Sequence, residues 1–193
     1  LLSSIVSFFS DLLDPTKLGD ILDRLSPWHY VVLFAIIFAE SGLLIGMFLP
    51  GDSLLFTAGF LAFKGDLSIW VLLPLLFIAA FAGDQVGYFV GNKFGVKIFH
   101  KENAKILKKS HIKKTHDFFE KHGPKTILLA RFVPIVRTLA PTMAGTAGMN
   151  YKTFVKFNVF GALIWGVGVT LLGYFLGNAI GEENIDKYLL PII

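Results

Sequence analysis

AESGLLIGMFLPGDSLLFTAG, residues 39–59, decides how this chain folds. Glu40 stands inside an apolar run, and Pro50-Gly51-Asp52 interrupts that run before it resumes. A second stretch is broken in a matching way: ARFVPIVRTLAPTMAGTAGM, residues 130–149, carries Arg131 and Arg137 among apolar residues, with breaks expected at Pro134 and Pro141. Acids mark one segment and bases the other. An ionisable side chain at bilayer depth costs roughly 2.5–3.5 kcal/mol on insertion scales, so such residues by default mark a binding or ion pathway. The pattern implies a transporter.

Composition settles the solvent. With 54% hydrophobic residues and a mean hydropathy of +0.64, a chain of 193 residues is too apolar for a soluble domain. Residues 28–49, 67–90 and 154–176 approach the roughly 20 residues needed to cross a bilayer. Trp28, Tyr30, Trp70, Tyr88 and Tyr174 fall toward their ends, where amphipathic rings prefer the membrane–water interface. Cysteine is absent, which excludes disulfides and thiolate metal sites. The opening segment, with Asp11 and Asp14 and no basic flank, does not read as a cleavable signal. The chain closes on the apolar run YLLPII, so residues 182–193 are expected to begin a further spanning helix that continues past Ile193.

Positive charge is concentrated in one place. Ten of the eighteen Lys and Arg residues, and four of the five His, lie within residues 93–125. The positive-inside rule puts that stretch in the cytoplasm, and with it the start of the first spanning segment. Its Ile98, Ile106, Leu107, Ile112, Phe118 and Phe119 provide the apolar side of amphipathic helices lying along anionic headgroups over residues 93–123. Ile5, Phe8, Phe9, Leu12 and Leu13 predict another interfacial helix within residues 1–26. The sequence isoelectric point of about 9.2 is explained by this topology and does not point to nucleic acid.

An internal repeat appears without gaps at an offset of 86 residues. GYFVGNKFG at 87–95 matches GYFLGNAIG at 173–181, and Ala58-Gly59 matches Ala144-Gly145. With a two-residue shift, Phe48-Leu49-Pro50 meets Phe132-Val133-Pro134. Each unit is a proline-broken segment followed by a spanning helix. If the basic stretch stays on the cytoplasmic surface, the two units are inverted in the membrane, and interrupted segments at corresponding places point to a transporter's central site. The fold expected is therefore an all-α integral membrane protein: an inverted repeat of re-entrant helical hairpin plus spanning helix, with interfacial amphipathic helices. Its membrane domain covers residues 27–181, with re-entrant segments near 49–65 and 124–149. Gly83, Gly87, Gly91 and Gly95, like Gly173, Gly177 and Gly181, recur at four-residue spacing and serve close helix packing, within one chain or in a homo-oligomer.

Backbone broken by proline is tolerated at membrane depth only when buried in protein or lining a wet cavity. Pro50-Gly51 turns the chain, and Asp52 or Ser53 caps a short helix through residues 54–58; Asp52 is also a candidate for an ion or substrate site. Glu40 lies roughly 15 Å from either end of its segment, at a rise of about 1.5 Å per residue, either as a coupling acid or in a structural ion pair with an arginine. Asp84 is a further proton site or a partner for backbone freed around Gly83. Thr138, Thr142 and Thr146 line the cavity or bond their own backbone, and Asn158 reads as glue between helices.

Taken together, Glu40, the PGDS turn, Ala58-Gly59, GDQVGYFVG from Gly83, and RFVPIVRTLAPTMAGTAGM followed by Phe154, Asn158, Gly161 and Trp165 resemble the DedA family, also called the SNARE-associated or VTT-domain family. The resemblance covers about residues 28–181. It implies a pair of re-entrant loops facing each other in a helical bundle, and transbilayer movement of lipids; in bacteria, return of undecaprenyl phosphate from the outer to the inner leaflet of the cytoplasmic membrane, linked to the proton-motive force. By motif, the essential acids and arginines fall on Glu40, Asp52, Arg131 and Arg137.

On this reading the two acids and two arginines cancel one another at rest. Protonating Glu40 or Asp52 frees Arg131 and Arg137 to grip a phosphate through bidentate hydrogen bonds. No cofactor or metal is required, and no catalytic activity is expected: the histidines other than His29 cluster in the basic stretch, and the chain lacks the familiar lipid-phosphatase motifs. A passive phospholipid scramblase and a proton-coupled exporter of small cations are the competing functions; the buried arginines favour an anion.

Overall fold

The computed structural model describes residues 28–43, 46, 49, 51–99, 123 and 125–180. The interfacial segment expected in residues 1–26, Pro50, most of the basic stretch and the C-terminal residues 182–193 lie outside the described residues. Among the described residues every regular element is helical: α1 His29–Gly42, α2 Gly51–Lys64, α3 Ile69–Phe99, α4 Lys125–Ala130, α5 Pro134–Thr146, α6 Tyr151–Ala162, a π-helical turn Leu163–Val167, and α7 Gly168–Ile180. Ile69–Gly95 and the continuous run Tyr151–Asn178 are long and apolar enough to cross a bilayer.

The first apolar stretch does not continue as helix to residue 49. Helix α1 stops at Gly42, because the chain folds back on itself: the Gly46 N–H donates to the Leu43 carbonyl at 2.8 Å, and a Cβ on Gly46 would run into the Ala39 carbonyl. After the break α2 starts at Gly51 and runs to Lys64, longer than the single turn or so expected. In the second broken stretch Pro134 opens α5, where a missing N–H costs nothing. Pro141, expected to break the chain, sits inside α5 without ending it. Only the bond to one carbonyl is lost there, and the ring is buried against α3, where Gly87 leaves room for it: a Cβ on Gly87 would lie 3.2 Å from that of Pro141.

The helices form two compact units, the first from Leu1–Ile37, Leu49–Ile78 and Ile164–Ile193, the second from Phe38–Phe48 and Ala79–Leu163. In the first, α2 packs along α7 so closely that backbones meet. A Cβ on Gly59 would strike the Thr170 carbonyl and lie 3.1 Å from the Tyr174 nitrogen, and one on Gly173 would strike the Phe56 carbonyl. Without a hydrophobic drive between helices in lipid, such small-residue contacts are what hold them together.

In the second unit the later half of α3 packs on α5 by the same means. A Cβ on Gly145 would strike the Tyr88 carbonyl and one on Gly91 the Thr142 carbonyl, while the Thr146 hydroxyl donates to the Gly91 carbonyl at 3.2 Å. Gly59 and Gly145 stand 86 positions apart, as do the residues they press on, Tyr174 and Tyr88. Both contacts thus join residues related by the sequence offset, although the tightest approach of Gly59 is to Thr170, one turn before Tyr174. Tyr88 is not the interfacial ring expected from its position: it is buried, stacks on Phe154 with centroids 4.5 Å apart, and donates its hydroxyl to the Met149 carbonyl. Ile127, Ala130, Ala140 and Ala144 complete this core.

Asn150 caps α6, accepting from the N–H groups of Lys152 and Thr153. The buried stripe of α6 runs Phe154, Asn158, Gly161, Ala162. Continued at 3.6 residues per turn it would bury Leu172 and Phe175, yet these are 65% and 60% exposed, and Thr170, Gly173 and Gly177 are buried instead. The π turn supplies the one-residue slip, with Trp165 and Gly166 buried inside it.

Candidate functional site

Four of the anticipated ionisable residues meet in the second unit. Glu40 is in the last turn of α1, only 2% exposed, and Arg137 in the first turn of α5 donates to it. Asp84, on α3 among apolar residues, accepts from Arg131. Arg131 occupies the tight turn that joins α4 to α5, where the N–H groups of Arg131, Phe132 and Val133 donate to carbonyls three residues back at 3.1–3.3 Å. That turn throws Phe132 and Val133 outward and Arg131 inward.

Neither arginine snorkels to a surface. Side-chain exposure is 6% for Arg131 and 5% for Asp84, and 9% and 2% for Arg137 and Glu40. In such surroundings a lone charge is intolerable, and each pair survives because its members neutralise one another. Asn158 enlarges the second pair into a network: its Oδ1 accepts from Arg131 at 2.8 Å and its Nδ2 donates to the Phe81 carbonyl at 3.2 Å. Its role between helices is the one expected of it, extended to holding an arginine. Thr138 is buried on α5 one residue beyond Arg137. Thr142 is buried too, and Thr146 bonds the Thr142 carbonyl at 2.8 Å as well as α3.

Asp52 belongs to the first unit. It does stand in the first turn of α2, and its Oδ1 accepts from the indole N–H of Trp165 at 2.6 Å. An indole nitrogen is a donor only, so the carboxyl oxygen is the acceptor of this bond. Of the anticipated turn residues, Gly51 begins α2, Pro134 begins α5, and Pro141 marks no turn.

Two partners went unforeseen. Asp84, expected as a proton site or a partner for freed backbone, is what Arg131 meets, and Trp165 is what Asp52 meets.

Apolar helices of spanning length, with arginine–carboxylate pairs sealed among them, define an all-helical membrane protein with an interior ionic site. The chain belongs to the VTT-domain, or DedA, family: the family's VTT domain matches residues 49–186. It is 47% identical over 179 residues to Protein DedA of Escherichia coli strain K12, covering 91% of this chain and 82% of that one. An uncharacterized membrane protein of Mycobacterium leprae is 48% identical over 159 residues, covering 82% and 71%. Inner membrane protein YqjA of Escherichia coli strain K12 is 38% identical over 169 residues, covering 88% and 73%. No solved structure matches the chain.

Proposed function

We propose that this protein is a transporter, not an enzyme, that moves an anionic lipid phosphate, undecaprenyl phosphate being the leading candidate, from the outer to the inner leaflet of a bacterial inner membrane, driven by protons. The observation that carries this reading is the burial of Arg131 and Arg137, each neutralised by a carboxylate, within apolar helices. A guanidinium binds phosphate through paired hydrogen bonds, and a carboxylate that accepts a proton releases its guanidinium for that task. Glu40 would so release Arg137, and Asp84 would release Arg131, with Thr138 and Asp52 contributing to the path. The prenyl tail trails through lipid between helices. Two sequence repeats, each a proline-broken segment followed by a spanning helix and inverted in the membrane, would offer the site alternately to the two leaflets; glycine contacts between residues related by 86 positions support the repeat. Residues 93–125 lie at the cytoplasmic face against anionic headgroups.

The test is translocation of undecaprenyl phosphate between leaflets by the purified, reconstituted protein, with and without an imposed pH gradient, in wild type, Glu40→Gln and Arg137→Ala. Gradient-driven movement lost in both variants is the expected result. Equal movement of ordinary phospholipids without a gradient would make the protein a scramblase, and no lipid movement would return the small-cation exporter.

A further inference from the structure

The glycines of this chain are not all crowded by the same thing. Where a Cβ on Gly59, Gly91, Gly145 or Gly173 would strike backbone, one on Gly161 would strike the Nε of Arg131 and lie 2.7 Å from its Cδ. Gly161 lies three residues beyond Asn158, on the same face of α6. The two therefore present one surface to the arginine: Gly161 leaves room for the stem, and Asn158 accepts from the head at 2.8 Å. Asn158 is itself anchored, through its Nδ2, to the carbonyl of Phe81, one turn before Asp84 on α3.

The other unit shows that helix packing alone does not demand this arrangement. Eighty-six residues earlier, the positions equivalent to Asn158 and Gly161 are Leu72 and Leu75. Leu72 is as completely buried as Asn158, and the described residues of its unit include no arginine.

We infer that Asn158 and Gly161 form a fixed seat for Arg131, positioning residues that keep its guanidinium in place whether or not Asp84 carries its charge. Asn158 is neutral at any pH, so its hydrogen bond outlasts protonation of the acid or its displacement by a ligand. The arginine is then held ready, and a ligand phosphate meets a donor whose ordering has already been met by the fold. The role in phosphate binding rests on the function proposed above; the seat itself does not.

The experiment is a double-mutant cycle on the full chain purified in detergent. Thermal unfolding and binding of farnesyl phosphate are measured for wild type, Gly161→Ala, Arg131→Ala, the double variant and Asn158→Leu. Gly161→Ala is expected to lower the unfolding midpoint by about 3 °C and to weaken farnesyl phosphate binding about tenfold. In the Arg131→Ala background the same glycine change is expected to shift the midpoint by less than about 1 °C, because the new methyl enters room the arginine has left. Should Gly161→Ala alone fail to fold, recovery of folding in the double variant supports the seat equally. Equal losses in both backgrounds would assign Gly161 to backbone packing and overturn it. Asn158→Leu is expected to weaken binding as Gly161→Ala does; unchanged binding in both would overturn the positioning role. If wild type binds no farnesyl phosphate, the lipid-phosphate reading fails, while the unfolding cycle still decides whether the seat exists.

Discussion

The two packing units share a skeleton and differ in chemistry. In each, a helix that follows a chain break lies against a glycine-lined helix, with Gly59 pressed on Thr170 and Tyr174 in one and Gly145 on Tyr88 in the other. At the position equivalent to Asp84, however, the first unit carries Thr170, whose hydroxyl spends itself on the Gly166 carbonyl at 2.7 Å. With Pro134 aligned to Pro50, Arg137 falls opposite Ser53. The described arginine–carboxylate pairs all fall in the second unit, so what the units have in common is scaffold and what separates them is the candidate site.

The largest effect expected from this contrast comes from Arg131→Ala, which strands Asp84 in apolar surroundings at a cost of about 3–5 kcal/mol. Thermal unfolding in detergent measures it, and Asp84→Asn added to the same chain should restore much of the loss. A small effect for Arg131→Ala alone would mean the pair contributes little to the second unit. In the first unit the counterpart is Trp165→Phe, which keeps the ring but leaves the Asp52 carboxylate without its indole donor, for about 1.5–3 kcal/mol. Next come the shared glycines: Gly59→Ala and Gly145→Ala should each cost about 1–3 kcal/mol through overpacking, and to a similar extent. Unequal costs would break the parallel between units at its root. Smallest is Thr170→Val, expected near 1 kcal/mol, with transport untouched, whereas Asp84→Val at the equivalent position should abolish it.

Much of this was legible in the residues. Glu40, Asp84, Arg131 and Arg137 stand out in sequence because charge among apolar residues is expensive enough to need a reason, and the offset of 86 follows from Gly, Tyr and Phe at matching places. Which acid meets which arginine was not legible. Pairing depends on helix rotation and on where a turn throws its side chains, and these come from contacts distant in the chain. Asp52 and Asp84 have equal claims on Arg131 by composition; the tight turn at residues 131–133 and Asn158 on α6 decide for Asp84. Pro141 misled for a related reason, since a proline ends a helix only when nothing else holds it, and Gly87 lets α3 hold this one. The early end of α1 hides in Gly42 and Gly46, which read equally well as packing glycines.

The π turn Leu163–Val167, between Gly161 and Gly173, makes the length of this helix as consequential as its composition. Removing a single residue there would rotate everything downstream by about 100°, turning Leu172 and Phe175 inward and withdrawing Gly173 from Phe56. Conservative substitutions along α7 leave that alignment intact, but a one-residue deletion does not, however mild the residue removed. Homologous chains should therefore vary freely in side chain at Leu163 and Ile164, both exposed, while keeping the count of residues between the two glycines constant.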